Sequence, residues 1–288
     1  MEEIKVLKKA LKAGGAVMTR YFGKVSYELK GRANLLTEAD LKSQKEVIAV
    51  IRKAFPGHGI LAEEGPSTRP FGLEPEIARP DRRPQALRIK PEEPGLWIID
   101  PIDGTTNYAH TFPVSAVSIG FMAGGRVIAG GVFDPFRKEL FLAGRGRGAF
   151  LNERRIKVSA TPKLSSALLV TGFPYDRARK ADFYCSFFSK FMRIAHDVRR
   201  MGAASLDLAW LAAGRTDGYW EFGLKPWDVA AGLLLVEEAG GKVTDFSGRP
   251  WKRTEDYGAQ TLATNGLTHT AMLRIIKKIL ATDPITPG

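Results

Sequence analysis

Leu96-Trp97-Ile98-Ile99-Asp100-Pro101-Ile102-Asp103-Gly104-Thr105-Thr106-Asn107 is the stretch whose reading decides the fold. Its first four residues form a short, unbroken apolar run, the pattern of a strand buried on both faces. The run ends in two carboxylates three residues apart, followed by a glycine and two threonines. Pro101 has no N–H to give to a sheet ladder, so the chain is expected to leave the sheet there. Gly104 permits a tight turn, and Asp103 is a suitable N-cap for a helix beginning near Thr105. Strand, acidic turn and helix N-terminus in that order bring hard oxygen ligands beside free backbone N–H groups. Hard oxygens suit Mg²⁺ and helix N-termini suit phosphate, which makes magnesium-dependent phosphate chemistry the expectation. Capping a turn requires one aspartate, not two with a pair of threonines. A phosphatase with an aspartyl nucleophile is excluded, because its Asp-x-Asp-Gly-Thr pattern would place the nucleophile at position 101, a proline.

Working outward, Gly59-Ile60-Leu61-Ala62-Glu63 repeats the design, a short strand ending in acids, where open α/β sheets place their ligands. Thr37-x-x-Asp40 is close to a capping box at the start of a helix predicted over residues 37–54. Residues 3–22 read as an amphipathic helix, with Ile4, Leu7, Leu11 and Met18 on one face and lysines elsewhere. Its packing on the protein's own core is favoured over a membrane surface. Seven of the 17 prolines fall between Gly65 and Gly95, where neither helix nor strand can persist, so a long irregular loop is predicted.

Downstream, Val114–Met122 and Val127–Phe133 read as strands, and Glu139–Ala143 with Gly148–Leu151 as a hairpin. A boundary between two halves, 1–147 and 148–288, fits there. The second half alternates strands at 167–171, 218–221, 242–245 and 261–264 with helices near 180–195, 203–213, 228–239 and 268–281. Gly202-Ala203-Ala204 opens one of these helices with small residues that allow close approach of a ligand or of another helix. Asp228 sits at the start of another, where N-capping and metal binding are equally open readings. His196 has no nucleophilic serine or cysteine motif beside it and reads as structural or surface.

Composition is that of a soluble globular chain, with 44% hydrophobic and 26% charged residues. Cys185 is the one cysteine and cannot form an intramolecular disulfide, which fits a reducing cytosol. No N-terminal apolar segment and no stretch long enough to span a bilayer is present, so a cytoplasmic protein without membrane contact is expected. The 43 basic against 31 acidic residues give a net charge of +12. That favours anionic partners in general, and the spread of the basic residues favours a solvated surface over a dedicated patch.

Four segments, taken together and in order, resemble the motifs of the inositol monophosphatase family of lithium-sensitive, Mg²⁺-dependent phosphatases. They are Asn34-Leu35-Leu36-Thr37-Glu38-Ala39-Asp40, Glu63-Glu64-Gly65, Asp100-Pro101-Ile102-Asp103-Gly104-Thr105-Thr106, and Trp227-Asp228-Val229-Ala230-Ala231-Gly232 with Glu238-Ala239-Gly240-Gly241. The resemblance runs from about residue 4 to 280. It implies an α/β fold of αβαβα layers, shared with fructose-1,6-bisphosphatases, and a homodimer. It also implies that Glu63, Asp100, the Ile102 carbonyl, Asp103 and Asp228 share two or three Mg²⁺ ions. Thr105, paired with Asp40, and Glu63 would orient the attacking water. Gly104, Thr105 and Thr106 would hold the phosphate, with Asp103 and Asp228 beside it. Gly202, Ala204 and Glu221 would meet the alcohol. Lys30 resembles a lysine kept near the family's mobile metal-binding loop. The proline-rich segment departs from the pattern, which joins these motifs by a shorter link.

The expected reaction is hydrolysis of a small phosphate monoester, with inositol 1-phosphate the leading substrate. Fructose 1,6-bisphosphate and 3′-phosphoadenosine 5′-phosphate are the alternatives, because relatives with the same metal motifs take them. A basic protein that binds RNA or the transcription machinery, with secondary phosphatase activity, is the alternative of another class. Nucleic acid is not favoured, since an intact ligand set argues against a purely non-catalytic protein.

Overall fold

The computed structural model describes residues 2–29, 35–65, 94–251 and 254–282. Lys30, Asn34 and nearly all of the proline-rich segment lie outside these residues. Helices α1 (Glu2–Tyr21) and α2 (Glu38–Ala54) flank a hairpin of β1 (Tyr27–Leu29) and β2 (Leu35–Thr37). Strands β3 (Gly59–Ala62) and β4 (Leu96–Asp103) precede a short helix, α3 (Thr105–Ala109). A meander follows, comprising β5 (Ala116–Ala123), β6 (Arg126–Asp134), β7 (Glu139–Gly144), β8 (Gly148–Leu151) and β9 (Arg154–Ile156). The chain then alternates through β10 (Leu168–Thr171), α4 (Ala181–Met192), β11 (Asp197–Arg199), α5 (Ala204–Ala212), β12 (Gly218–Phe222) and α6 (Pro226–Glu238). It closes with β13 (Lys242–Thr244), β14 (Gln260–Thr264) and α7 (His269–Thr282).

The strands β3 to β9 form a seven-stranded sheet in chain order, parallel between β3 and β4 and antiparallel elsewhere. The second sheet has five strands in the order β11-β10-β12-β14-β13. Side-chain alternation along the strands sets the layers. Trp97 and Ile99 of β4 pack with α1 and α2, while Leu96 and Ile98 face α5 and α6. In β12, Tyr219 joins that inner core and Trp220 joins the outer one with α4 and α7. The result is the αβαβα sandwich, with α5 and α6 as its middle layer. Every residue of α5 is buried, which is why its sequence is apolar all round rather than striped. Helix α1 does carry a stripe, burying Val6, Leu7, Ala10, Leu11 and Met18 against the protein's own core.

Two local expectations are corrected. Strand β4 does not end at Pro101 but continues to Asp103 through a register shift against β5 between Asp100 and Asp103. The missing proline N–H falls inside that irregularity, where no ladder bond is required. Strands β9 and β11, each of three residues, occupy stretches read as connections, and the first sheet runs on to Ile156. No helix among the described residues is long and apolar enough to cross a membrane.

Candidate active site

Strand β4 and the first turn of α6 bring three aspartates together. Carboxylate oxygens of Asp100, Asp103 and Asp228 all lie within 4.8 Å of one another. Asp100 and Asp103 are buried and Asp228 half-buried. Each has some backbone support. Asp100 Oδ1 accepts the Ile102 N–H at 3.0 Å, and Asp228 Oδ2 accepts the Lys225 N–H at 2.6 Å. Asp103 Oδ2 accepts the N–H and the hydroxyl of Ser205 at 2.7 and 2.5 Å. Asp103 is therefore not the cap of α3, as its position suggested. Gly104 occupies the cap with φ +84°, and a Cβ there would come within 2.8 Å of the Val114 carbonyl. The glycine makes the turn in the left-handed region, which leaves the Asp103 side chain on the strand, directed at α5.

Three acids in this space oppose one another's ionisation. Burial, then the charges of Glu63, Asp103, Asp228 and Asp40, hold the Asp100 carboxyl well above the usual carboxylate range. Burial pushes Asp103 up to about 6, with the Ser205 hydrogen bonds opposing the rise. Burial and then Asp103 push Asp228 up to about 8, against the Lys225 N–H. A hard divalent cation fits this donor set, because it neutralises the repulsion and accepts several carboxylate oxygens at once.

Glu63 follows β3 and is half-buried; its N–H donates at 3.1 Å to the carbonyl of Ile99, the residue that precedes Asp100. It is not one of the three acids within the 4.8 Å group, but it is the charge that acts most on Asp100. Asp40 serves as both a cap and an active-site acceptor. Its Oδ2 accepts the Thr37 N–H and hydroxyl at 2.8 and 2.6 Å, and its Oδ1 accepts the Thr105 hydroxyl at 3.3 Å. The same Thr105 hydroxyl donates to the Ile102 carbonyl at 2.9 Å. Its proton is thus committed to these two acceptors, leaving its oxygen able to accept a further hydrogen bond.

A cavity of about 750 Å³ opens above these groups. Glu63, Asp103, Gly104, Thr105, Thr106 and Asp228 line it, as do Gly202, Ala204 and Glu221. Asp100 and Asp40 sit behind this wall rather than on it. Gly202 has φ +88°, and a Cβ there would meet the Arg200 guanidinium at 2.3 Å. Asn107 Nδ2 donates to the carbonyls of Val114 and Met201 at 2.8 and 2.9 Å, tying α3 to the segment before α5. Glu221 is buried and accepts the Tyr219 hydroxyl. Burial raises it to about 7, opposed by Tyr219 and by the charge of Arg200.

Several further groups at the site have no signal in the sequence pattern. Ser205, Phe173, Tyr175, Arg177 and Arg200 lie in no acid-ended strand. Tyr219 lies in β12 two residues before Glu221, and Phe222 follows that acid at the strand's end.

The sequence profile of the inositol monophosphatase family matches residues 1–281. The inositol-1-monophosphatase of Synechocystis sp. is 41% identical over 268 residues, covering 92% of this chain and 85% of its own. A protein of Pseudomonas aeruginosa named Nus factor SuhB is 44% identical over 226 residues, 78% of this chain and 77% of its own. The structure of the inositol monophosphatase from Anabaena superposes with a TM-score of 0.79 at 40% identity, over 96% of each chain.

Proposed function

The chain belongs to the inositol monophosphatase family and is a phosphoric monoester hydrolase, and from that premise we propose that it hydrolyses inositol 1-phosphate to inositol and phosphate with Mg²⁺. Members of the family are metal-dependent phosphatases, and the cluster of Asp100, Asp103 and Asp228 is the observation that carries the metal reading. Glu63, Asp100, the Ile102 carbonyl, Asp103 and Asp228 would hold two or three ions. When bound, these supply Lewis acidity at the phosphoryl oxygens, a water of lowered pKa and charge compensation for the leaving alkoxide.

The chain's own residues do the rest. Thr105 and Thr106 line the cavity at the start of α3, where first-turn N–H groups have no partner within the helix and a phosphate oxygen can accept them. The Thr105 oxygen accepts a hydrogen bond from the attacking water and so orients it, because its own proton is committed to Ile102 and Asp40. The Glu63 carboxylate orients the same water from the end of β3. Gly202 and Ala204 allow the alcohol ring to approach, and Glu221 accepts hydrogen bonds from its hydroxyls. Glu221, buried yet lining the cavity, supports a polyol as the alcohol.

A turnover comparison of inositol 1-phosphate, fructose 1,6-bisphosphate and 3′-phosphoadenosine 5′-phosphate at saturating Mg²⁺ tests the substrate. Inositol 1-phosphate should have the highest kcat/KM; a lead of about tenfold for either of the others, worth ~1.4 kcal/mol at the transition state, would overturn the assignment. A second reading, binding of RNA or the transcription machinery, is supported by the name of the Pseudomonas relative and by the net charge of +12. Salt-sensitive retention on RNA that survives Asp100→Asn would favour it. The homodimer is likewise a proposal, tested by light scattering during gel filtration.

A further inference from the structure

His58 does not line the cavity and immediately precedes β3, and its ring is held by two stacked aromatics and a hydrogen bond. It stacks on Phe55 with centroids 4.6 Å apart and planes 6° from parallel, and on Phe121 at 5.3 Å and 13°. Between these rings its Nδ1 accepts the indole N–H of Trp97 at 3.1 Å. An Nδ1 that accepts is unprotonated, so the ring is neutral with its proton on Nε2. The backbone is fixed as well: Arg52 Nη1 of α2 donates to the His58 carbonyl at 2.7 Å.

The two residues joined by this bond begin two neighbouring parallel strands. His58 immediately precedes β3 and Trp97 is the second residue of β4, in a register that pairs Gly59 with Leu96 and Ala62 with Ile99. Farther along the same strands, Glu63 follows the last residue of β3 and Asp100 lies in β4 beside it. Strand β3 is four residues long, lies at the edge of the seven-stranded sheet and has β4 as its one partner there. A short edge strand with a single ladder has little of its own to hold it in place. Gln44 of α2 accepts the Glu64 N–H at 3.1 Å just beyond the acid end. The His58–Trp97 bond is the corresponding side-chain anchor at the other end.

We propose that His58 is a positioning residue for the metal site: its bond to Trp97 pins β3 to β4 and so holds Glu63 in place opposite Asp100. The inference rests on the reading of Glu63 as a metal ligand. Protonation turns Nδ1 from acceptor to donor and breaks the bond, so the anchor is lost in acid. Burial keeps the imidazole below its ordinary value; Glu3 of α1 opposes that shift and Arg52 of α2 adds to it.

The test combines nitrogen-resolved NMR of the histidine rings, amide hydrogen exchange in the metal-free protein, and the Mg²⁺ concentration for half-maximal turnover of p-nitrophenyl phosphate. His58 should be the Nε2–H tautomer at neutral pH, and Trp97→Phe should raise its pKa. His58→Phe keeps the ring stack and removes the acceptor. It should speed exchange at Ile60–Ala62 and raise the Mg²⁺ requirement about tenfold, as loss of a group that orients a ligand does. His58→Asn, whose amide oxygen can take the place of Nδ1, should restore both. An Nδ1–H tautomer, or Phe and Asn variants that behave alike, would overturn the proposal. If His58→Phe does not fold, the tautomer and the Trp97→Phe shift still decide the anchor. Glu63→Gln, run in parallel, separates the two readings. If it raises the Mg²⁺ requirement and His58→Phe does not, the proposal fails; if neither does, the ligand role of Glu63 has failed.

Discussion

Asp134 and Asp100 are both buried aspartates of the seven-stranded sheet, and their surroundings are opposite. Asp134 Oδ1 accepts the N–H groups of Phe136 and Arg137 at 2.9 and 3.0 Å, and its Oδ2 pairs with Arg137 Nη1 at 2.9 Å. Asp100 has one backbone donor and faces Glu63, Asp103 and Asp228. Glu221 is intermediate, with the Tyr219 hydroxyl as its donor and an open cavity in front of it. A buried acid ringed by donors serves the fold, because its charge is already satisfied. A buried acid ringed by acids is incomplete until a cation arrives, and that is the mark of a metal site.

The sharpest way to break this contrast is to neutralise the acids in turn. Asp100→Asn or Asp228→Asn should lower kcat at least about 100-fold at saturating Mg²⁺ while the protein stays folded, since a charged ligand is lost at the transition state. Retention of more than about a tenth of wild-type kcat would remove these residues from the metal site. Glu221→Gln should come next. Loss of a charge-assisted bond worth ~1.5–3 kcal/mol would cut kcat/KM for inositol 1-phosphate roughly 10- to 150-fold. Turnover of p-nitrophenyl phosphate, which offers no hydroxyl there, should change by less than about threefold. Equal losses on both substrates would move Glu221 to the metal site or the fold.

Asp134→Asn should do the reverse of Asp100→Asn, costing ~1.5–3 kcal/mol in urea unfolding with turnover per folded molecule unchanged. The smallest effect concerns pH. Asp228 titrates at 3.8 when unperturbed but near 8 in the metal-free fold. As pH rises through that window the unfolded chain releases a proton that the folded chain retains, so folding becomes less favourable; below it the penalty is absent. Asp100 and Asp103 act in the same direction. The Tm of the metal-free protein should therefore fall between about pH 4 and 8, and the gain on adding Mg²⁺ should grow by a few degrees, about 3 °C per ~1 kcal/mol. A Mg²⁺ effect independent of pH would mean that the acids do not repel one another as their spacing requires.

Much of this contrast is legible in the sequence, for definite reasons. The apolar run at 96–99 is unbroken, as a strand buried on both faces requires, and the acids at 63, 100 and 103 follow directly on apolar residues. Asp40 reads as a cap, and the cap is real; its second bond, to Thr105, comes from a residue far along the chain and leaves no local trace. The same holds for Ser205, which is 102 residues from the Asp103 it supports. Strands β9 and β11 have three residues each, too few to display alternation. The Asp103 cap fails because Gly104, expected to make the turn, makes it in the left-handed region and takes the cap position itself. Asp134 also closes an apolar strand, so its sequence context matches that of the site acids; what distinguishes it from Asp100 is the direction in which neighbouring N–H groups point.

The middle layer has a consequence for how the protein comes into being. Helix α6 carries Asp228 and buries Val229 through Val236 between the two sheets, so it has no stable resting place until both sheets exist. The cation site should consequently be among the last features completed during folding, since its ligands are joined by contacts of long sequence separation. Metal binding then stabilises what is already assembled. It should slow unfolding far more than it speeds folding, making Mg²⁺ a latch on the finished molecule rather than a nucleus for it.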